Sequence, residues 1–189
     1  MNNLGMQVYL LQIHQQCEFA LYSYEKMDEI ASDSIVSGAK FWCYAQSMLS
    51  CTANISKYLW GRKYGEDREL IRNLLDINDD SLLKDRQVRN HIEHFDERLL
   101  QWEKRIQDDE IYTDAGIGTE ENYNEYIYRP FCYYTWDTNI IYFRDLKFDI
   151  NNIVLEINRV RNKCMKVLAE MYEIEISSDY RGTATHPST

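Results

Sequence analysis

Tyr133-Tyr134-Thr135-Trp136-Asp137-Thr138-Asn139-Ile140-Ile141-Tyr142-Phe143 is the stretch on which the fold class turns. Two runs of aromatic and β-branched side chains flank Asp137-Thr138-Asn139, a triplet with turn chemistry, which suits a pair of short strands. Against strands stands the lack of any alternation of apolar with polar residues in either run. The surrounding region, 108–148, carries Gly116, Gly118 and Pro130 and is dense in Tyr, Phe and Trp. It reads as an inserted hairpin or ordered loop. The rings of Tyr126, Tyr128, Phe131, Tyr133, Tyr134, Trp136, Tyr142 and Phe143 could stack on unpaired bases. Packing over the rest of the protein is favoured, because few basic residues are interleaved, among them Arg129, Arg144 and Lys147. Gly116-Ile117-Gly118 lacks the context that a nucleotide-binding fingerprint needs.

Outward from this insertion the chain reads as helices. Met6, Leu10, Ile13, Cys17, Ala20, Tyr24 and Met27 recur in steps of four and three, which predicts a helix from about Asn3 to Ala31. Ser32-Asp33-Ser34 supplies a break and cap chemistry. Phe41, Tyr44, Met48, Cys51, Ile55 and Tyr58 predict a second helix from about Ile35 to Trp60, ended by Gly61 and Gly65. A shorter helix follows over about Glu66–Asp76, then a turn at Asn78-Asp79-Asp80-Ser81. Val88, Ile92, Phe95, Leu99, Trp102 and Ile106 mark a third long helix over about Leu82–Gln107. Ile153, Ile157, Val160, Cys164, Val167 and Met171 mark the last, over about Ile150–Glu173. The expected fold is all-α: an antiparallel bundle of four long helices plus one short helix, with the aromatic insertion before the last helix. Residues 1–176 form one domain, and 177–189 read as a disordered tail.

Composition narrows the function classes. The 189 residues carry a net charge of −10, which argues against a broad basic surface gripping nucleic acid by its backbone. A small cationic pocket is compatible with it. Five cysteines without CxxC spacing read as reduced, mostly buried thiols of a cytoplasmic protein. No basic stretch followed by an apolar run opens the chain, and no run of about 18 apolar residues exists, so neither a signal peptide nor a membrane span is expected. His14 and Cys17, three apart on the first helix, read as packing residues, and no metal or cofactor is expected.

The chemistry concentrates in Arg89-Asn90-His91-Ile92-Glu93-His94. A guanidinium that stays charged, beside an imidazole that titrates near neutrality, is equipment for a phosphodiester. On an ideal helix Asn90 and His94 stack one turn apart on an outward face, and His91 leans toward the core edge. Arg89 and His94 stand about 140° apart, so Arg89 reaches the same face only by its long stem. Arg86 and His91 repeat the same spacing and are candidates for substrate contacts. A polar, salt-bridged surface face is the alternative reading of the patch, with Arg89 near Glu93 and His94 beside Arg98.

Arg89-Asn90-x-x-x-His94 resembles the Arg-x(4–6)-His motif of the HEPN superfamily, the "higher eukaryotes and prokaryotes nucleotide-binding" domains. A polar residue directly after the arginine, as Asn90 is, is common in that motif. The resemblance implies a helical bundle with the motif on a late helix, acting as a dimer with paired motifs at its interface. It implies a metal-independent endoribonuclease, often a toxin or defence protein, in which Arg89 and His94 are catalytic and Asn90 assists. It also implies a 2′,3′-cyclic phosphate product. RNA, a second copy of the chain and a basic, antitoxin-like inhibitor are then the expected partners. A non-catalytic helical bundle binding a protein through its acidic surface or aromatic insertion is the alternative.

Overall fold

The computed structural model describes residues 2–33, 35–85, 87, 90, 94–104, 115–125, 130–143 and 146–182, with the side chains of 102 and 174–182 left aside. Helix α1 spans Asn3–Ala31, and Asn2 caps it by accepting a 2.8 Å hydrogen bond from the Gly5 amide. Helix α2 spans Gly38–Trp60 and α3 spans Gly65–Leu74. After a 3-10 turn at Leu82–Lys84 come α4 (Phe95–Glu103), β1 (Ala115–Gly118), α5 (Glu120–Glu125), β2 (Cys132–Thr135), β3 (Ile140–Phe143), β4 (Leu146–Asp149) and α6 (Ile150–Gly182).

The apolar stripes of the long helices do what their spacing demands. Leu10, Ile13, Cys17 and Ala20 of α1 are fully buried, as are Phe41, Met48 and Ile55 of α2 and Ile157, Val160 and Cys164 of α6. Helix α1 packs between α2 and α6. Side-chain pairs set its direction against α2: Ser23 donates to Ser47 (3.1 Å), Asn54 donates to Gln16 (3.0 Å), and the rings of Tyr9 and Tyr58 meet edge-on at 5.3 Å. As one residue number rises the other falls, so the pair is antiparallel.

The expectation of an all-α bundle is corrected. The aromatic insertion belongs to a four-stranded sheet of order β1-β2-β3-β4, in which β1 and β2 run parallel and the other neighbours antiparallel. The two aromatic runs are the central hairpin β2–β3, with Cys132 opposite Phe143 and Thr135 opposite Ile140. Their missing alternation has a physical cause, since both faces of the hairpin are covered. Cys132, Tyr134, Ile141, Phe143 and Phe148 join the helical core, where the rings of Phe41 and Tyr134 lie 4.6 Å apart and those of Trp42 and Phe143 6.4 Å apart. On the other face Tyr133 and Tyr142 are covered by Tyr123 of α5, which stacks on Tyr142 at 4.1 Å. Among the described residues a helical layer thus covers one face of a small mixed sheet, and the short helix α5 lies on the other.

Two more boundaries differ from expectation. The third long helix does not run unbroken from Leu82: backbone dihedrals leave the helical region at Asp85 (φ −59°, ψ 120°), after the 3-10 turn. The Asp85 carboxylate accepts the Gln87 amide at 2.8 Å, the cap chemistry that favours a fresh start over continuation. The last helix passes the expected end at Glu173 and continues to Gly182; residues 183–189 lie outside the described residues. No helix among the described residues is long and apolar enough to cross a membrane.

Candidate active site

The part of the motif that the structure describes, Asn90 and His94, directly precedes α4. The His94 amide donates to the Asn90 carbonyl at 3.1 Å, and the Arg98 amide donates to the His94 carbonyl at 3.1 Å. Asn90, His94 and Arg98 therefore follow one another at one-turn intervals. Asn90 and His94 are both exposed, which agrees with the outward face expected of them. Arg86, Arg89 and His91 lie outside the described residues.

The local chemistry of His94 is specific. Its Nδ1 lies 3.4 Å from Oε1 of Glu97, three residues on, and its side chain is 54% exposed. A carboxylate beside Nδ1 favours the tautomer with the proton on that nitrogen. The other nitrogen, Nε2, is then the one without the proton. Beyond His94, Arg98 is half-buried, and its Nε is enclosed without a hydrogen-bond partner. On a helix of about 100° per residue the column Asn90–His94–Arg98 drifts by about 40° per step, which carries it from open solvent toward the buried side of α4. Arg98 is the residue that sequence reasoning passed over. It was legible as the cation at i+4 from His94, but it reads first as a surface partner.

The buried side of α4 anchors the helix. The Phe95 and Phe131 rings meet edge-on at 5.1 Å. Phe95 and Leu99 also line a cleft of about 990 Å³, together with Val36 and Trp42 near the start of α2 and Ile117 and Phe143 of the sheet. Among the described residues its wall is mainly apolar and carries no carboxyl or basic group.

Other candidates resolve into structure. His14 pairs with Glu18 at 3.5 Å on α1. Cys17, Cys51, Cys132 and Cys164 are buried free thiols and Cys43 is exposed. Burial pushes the Cys164 thiol up to about 12, which makes it a poor nucleophile. Phe131, Tyr133, Tyr134, Tyr142 and Phe143 are buried, so of the insertion's described rings Trp136 alone is exposed enough to meet a base. Gly116 and Gly118 have a packing role: the Tyr133 ring lies where their β-carbons would stand. Compared with models of protein families, with curated proteins and with solved structures, the chain matches none.

Proposed function

We propose that the chain is a metal-independent endoribonuclease of the HEPN type, with Arg89, Asn90 and His94 at its centre. The observation that supports the reading best is His94 itself: an exposed imidazole, one turn from the exposed amide of Asn90, with Nδ1 directed at a carboxylate. In this reading Nε2 of His94 takes the proton of a ribose 2′-hydroxyl. The freed oxygen attacks phosphorus, the bond to the 5′-oxygen breaks, and that oxygen takes a proton from water or from the His94 of a second copy. The products are a 2′,3′-cyclic phosphate and a 5′-hydroxyl. The Arg89 guanidinium holds the phosphate oxygens, with Arg98 as a second cation on the same column, and Arg86 and His91 extend the contact along the strand. The acidic face around Asp96 and Glu97 suits a basic inhibitory protein that would cover the site.

The test is cleavage of single-stranded RNA and tRNA in EDTA by wild type, His94→Ala and Arg89→Ala. Loss of a general base lowers the rate about 10²–10⁴-fold, and loss of one phosphate-holding cation about 10²–10³-fold. Products should end in the cyclic phosphate. Equal cleavage by all three proteins would sink the roles given to Arg89 and His94, and no cleavage by any of them would leave the second reading, a non-catalytic interaction module, which the acidic setting of His94 favours.

A further inference from the structure

The outer face of α1 carries an apolar stripe that nothing among the described residues covers. Leu4 is 67% exposed, Val8 50%, Leu11 42%, Phe19 48% and Tyr22 56%. At about 100° per residue these five and Gln15 fall within a sector of about 80°, opposite Ile13 and Cys17. A second feature coincides with it: residues 1–17 contain no Lys, Arg, Asp or Glu, in a chain of which 28% is charged. Between the apolar side chains stand amides, Gln12 and Gln15. Depletion of charge around an apolar centre is the compositional mark of an interface core, because burying a charge there costs several kcal/mol. The surface continues onto α6. Arg161 reaches Glu18 of α1 at 3.7 Å, and Met165, one turn after Arg161, is 53% exposed.

We infer that this face of α1 binds a second copy of the chain, antiparallel to itself across a two-fold axis. The stripe is self-complementary. Its aliphatic members lie toward the N-terminus and its aromatic ones toward the C-terminus. A two-fold axis near Ile13 sets Leu4 against the partner's Tyr22, Val8 against the partner's Phe19, and Leu11 against the partner's Gln15. Aliphatic side chains meet aromatic ones at the two ends and an amide near the axis, and each contact occurs twice, as an isologous interface requires. The size is sufficient. With side chains of about 150–250 Å² each, half-exposed, the stripe and its α6 flank offer roughly 500–700 Å² per copy, and the amides between them approach the ~800 Å² of a standard interface. An anionic membrane is a worse occupant, since Glu18, Glu25 and Glu29 flank the stripe and the chain carries −10. The inference does not rest on the ribonuclease reading.

Sedimentation equilibrium of the full chain tests it, with Val8→Glu and Leu11→Glu combined in one variant. These side chains are exposed, so circular dichroism should show an unchanged fold. Wild type should be a dimer, and the variant should associate at least tenfold more weakly. A monomeric wild type, or a dimer indifferent to the two substitutions, overturns the inference. Cross-linking fixes the direction, in a Cys43→Ser background that removes the exposed native thiol. A mixture of Leu4→Cys and Tyr22→Cys proteins should form the mixed disulfide. Neither alone should, because like positions would sit about 27 Å apart along antiparallel helices. Rapid disulfide formation by Leu4→Cys alone overturns the antiparallel arrangement.

Discussion

Tyr133 shows how one side chain can dictate the identity of its neighbours. Its ring covers the outer face of β1, its edge over Gly116 and its hydroxyl over Gly118, at distances that leave no room for a methyl group. Gly118→Ala must push the ring out of its contact with Tyr123, whose centroid is 5.2 Å away. Overpacking of this kind costs about 1–3 kcal/mol. Urea denaturation should show that loss. Part of it should return in Gly118→Ala combined with Tyr133→Phe, because the hydroxyl is the atom in the way. If the second substitution adds to the first instead, the clash is not the cause. His94 is the opposite kind of residue, open to solvent, with the Glu97 carboxylate beside it. Its partners in sequence were readable from spacing; its contact with Glu97 was readable only as one of several i,i+3 and i,i+4 options on the same face. Glu97→Gln should therefore lower any RNA cleavage without abolishing it, since it weakens the acceptor beside Nδ1 but keeps a polar group in place.

At the scale of the element, the β2–β3 hairpin depends on the residue that closes its turn. Asn139 sits in the left-handed region (φ 54°), which non-glycine residues other than Asn and Asp adopt reluctantly. Its side chain also ties three elements together. Tyr134 donates to its Oδ1 at 2.8 Å, and its Nδ2 donates to Asn151 of α6 at 2.6 Å and to Tyr24 of α1 at 3.3 Å. Burial pushes the Tyr134 hydroxyl up to about 12, so it remains a donor across the physiological range. Two substitutions separate backbone from side chain. Asn139→Gly keeps the turn and loses the hydrogen bonds, at about 1–2 kcal/mol. Asn139→Ala loses both and should cost about 1–2 kcal/mol more. Equal midpoints of thermal unfolding for the two variants would place the whole effect in the hydrogen bonds. The hairpin was half-legible in the sequence, from its β-branched and aromatic runs and its Asp-Thr-Asn turn. Strand β1, Ala-Gly-Ile-Gly, has almost none of the composition of a strand, and it exists because it pairs with β2. The break at Asp85 was hidden because no Gly or Pro marks it, only one carboxylate accepting one amide.

At the scale of the molecule, a polar clamp joins the segment after α3 to α6. Arg159 makes two 2.8 Å bonds to the Glu156 carboxylate, donates to the Asp76 carbonyl at 2.9 Å, and Ser81 donates to Glu156 at 2.5 Å. The Arg159 guanidinium holds the Glu156 carboxyl below the ordinary glutamate range, against the opposing effect of burial, and Ser81 adds to the depression. A carboxyl whose folded value is depressed stabilises the protein above its unfolded pKa of about 4.3, and that stability is lost as pH falls through the folded value. Glu156→Gln should therefore cost about 1–2 kcal/mol at pH 7. The gap to wild type should narrow below about pH 4. Urea midpoints measured from pH 7 to pH 3 check this, and a gap independent of pH would remove the ion pair as its source. By itself the sequence determined α1, α2 and α6, because a stripe repeating every three or four residues buries its apolar face as a helix. It also determined the outward placement of Asn90 and His94 and the uncharged first half of α1. What only the tertiary structure decided was the sheet. A strand has no internal hydrogen bonds, so its existence depends on a partner distant in sequence. A hairpin covered on both faces loses the alternation by which a strand is recognised. The same reason separates His94, whose exposure follows from its own helix, from Tyr133, whose glycine neighbours make sense only once β1 lies beside β2.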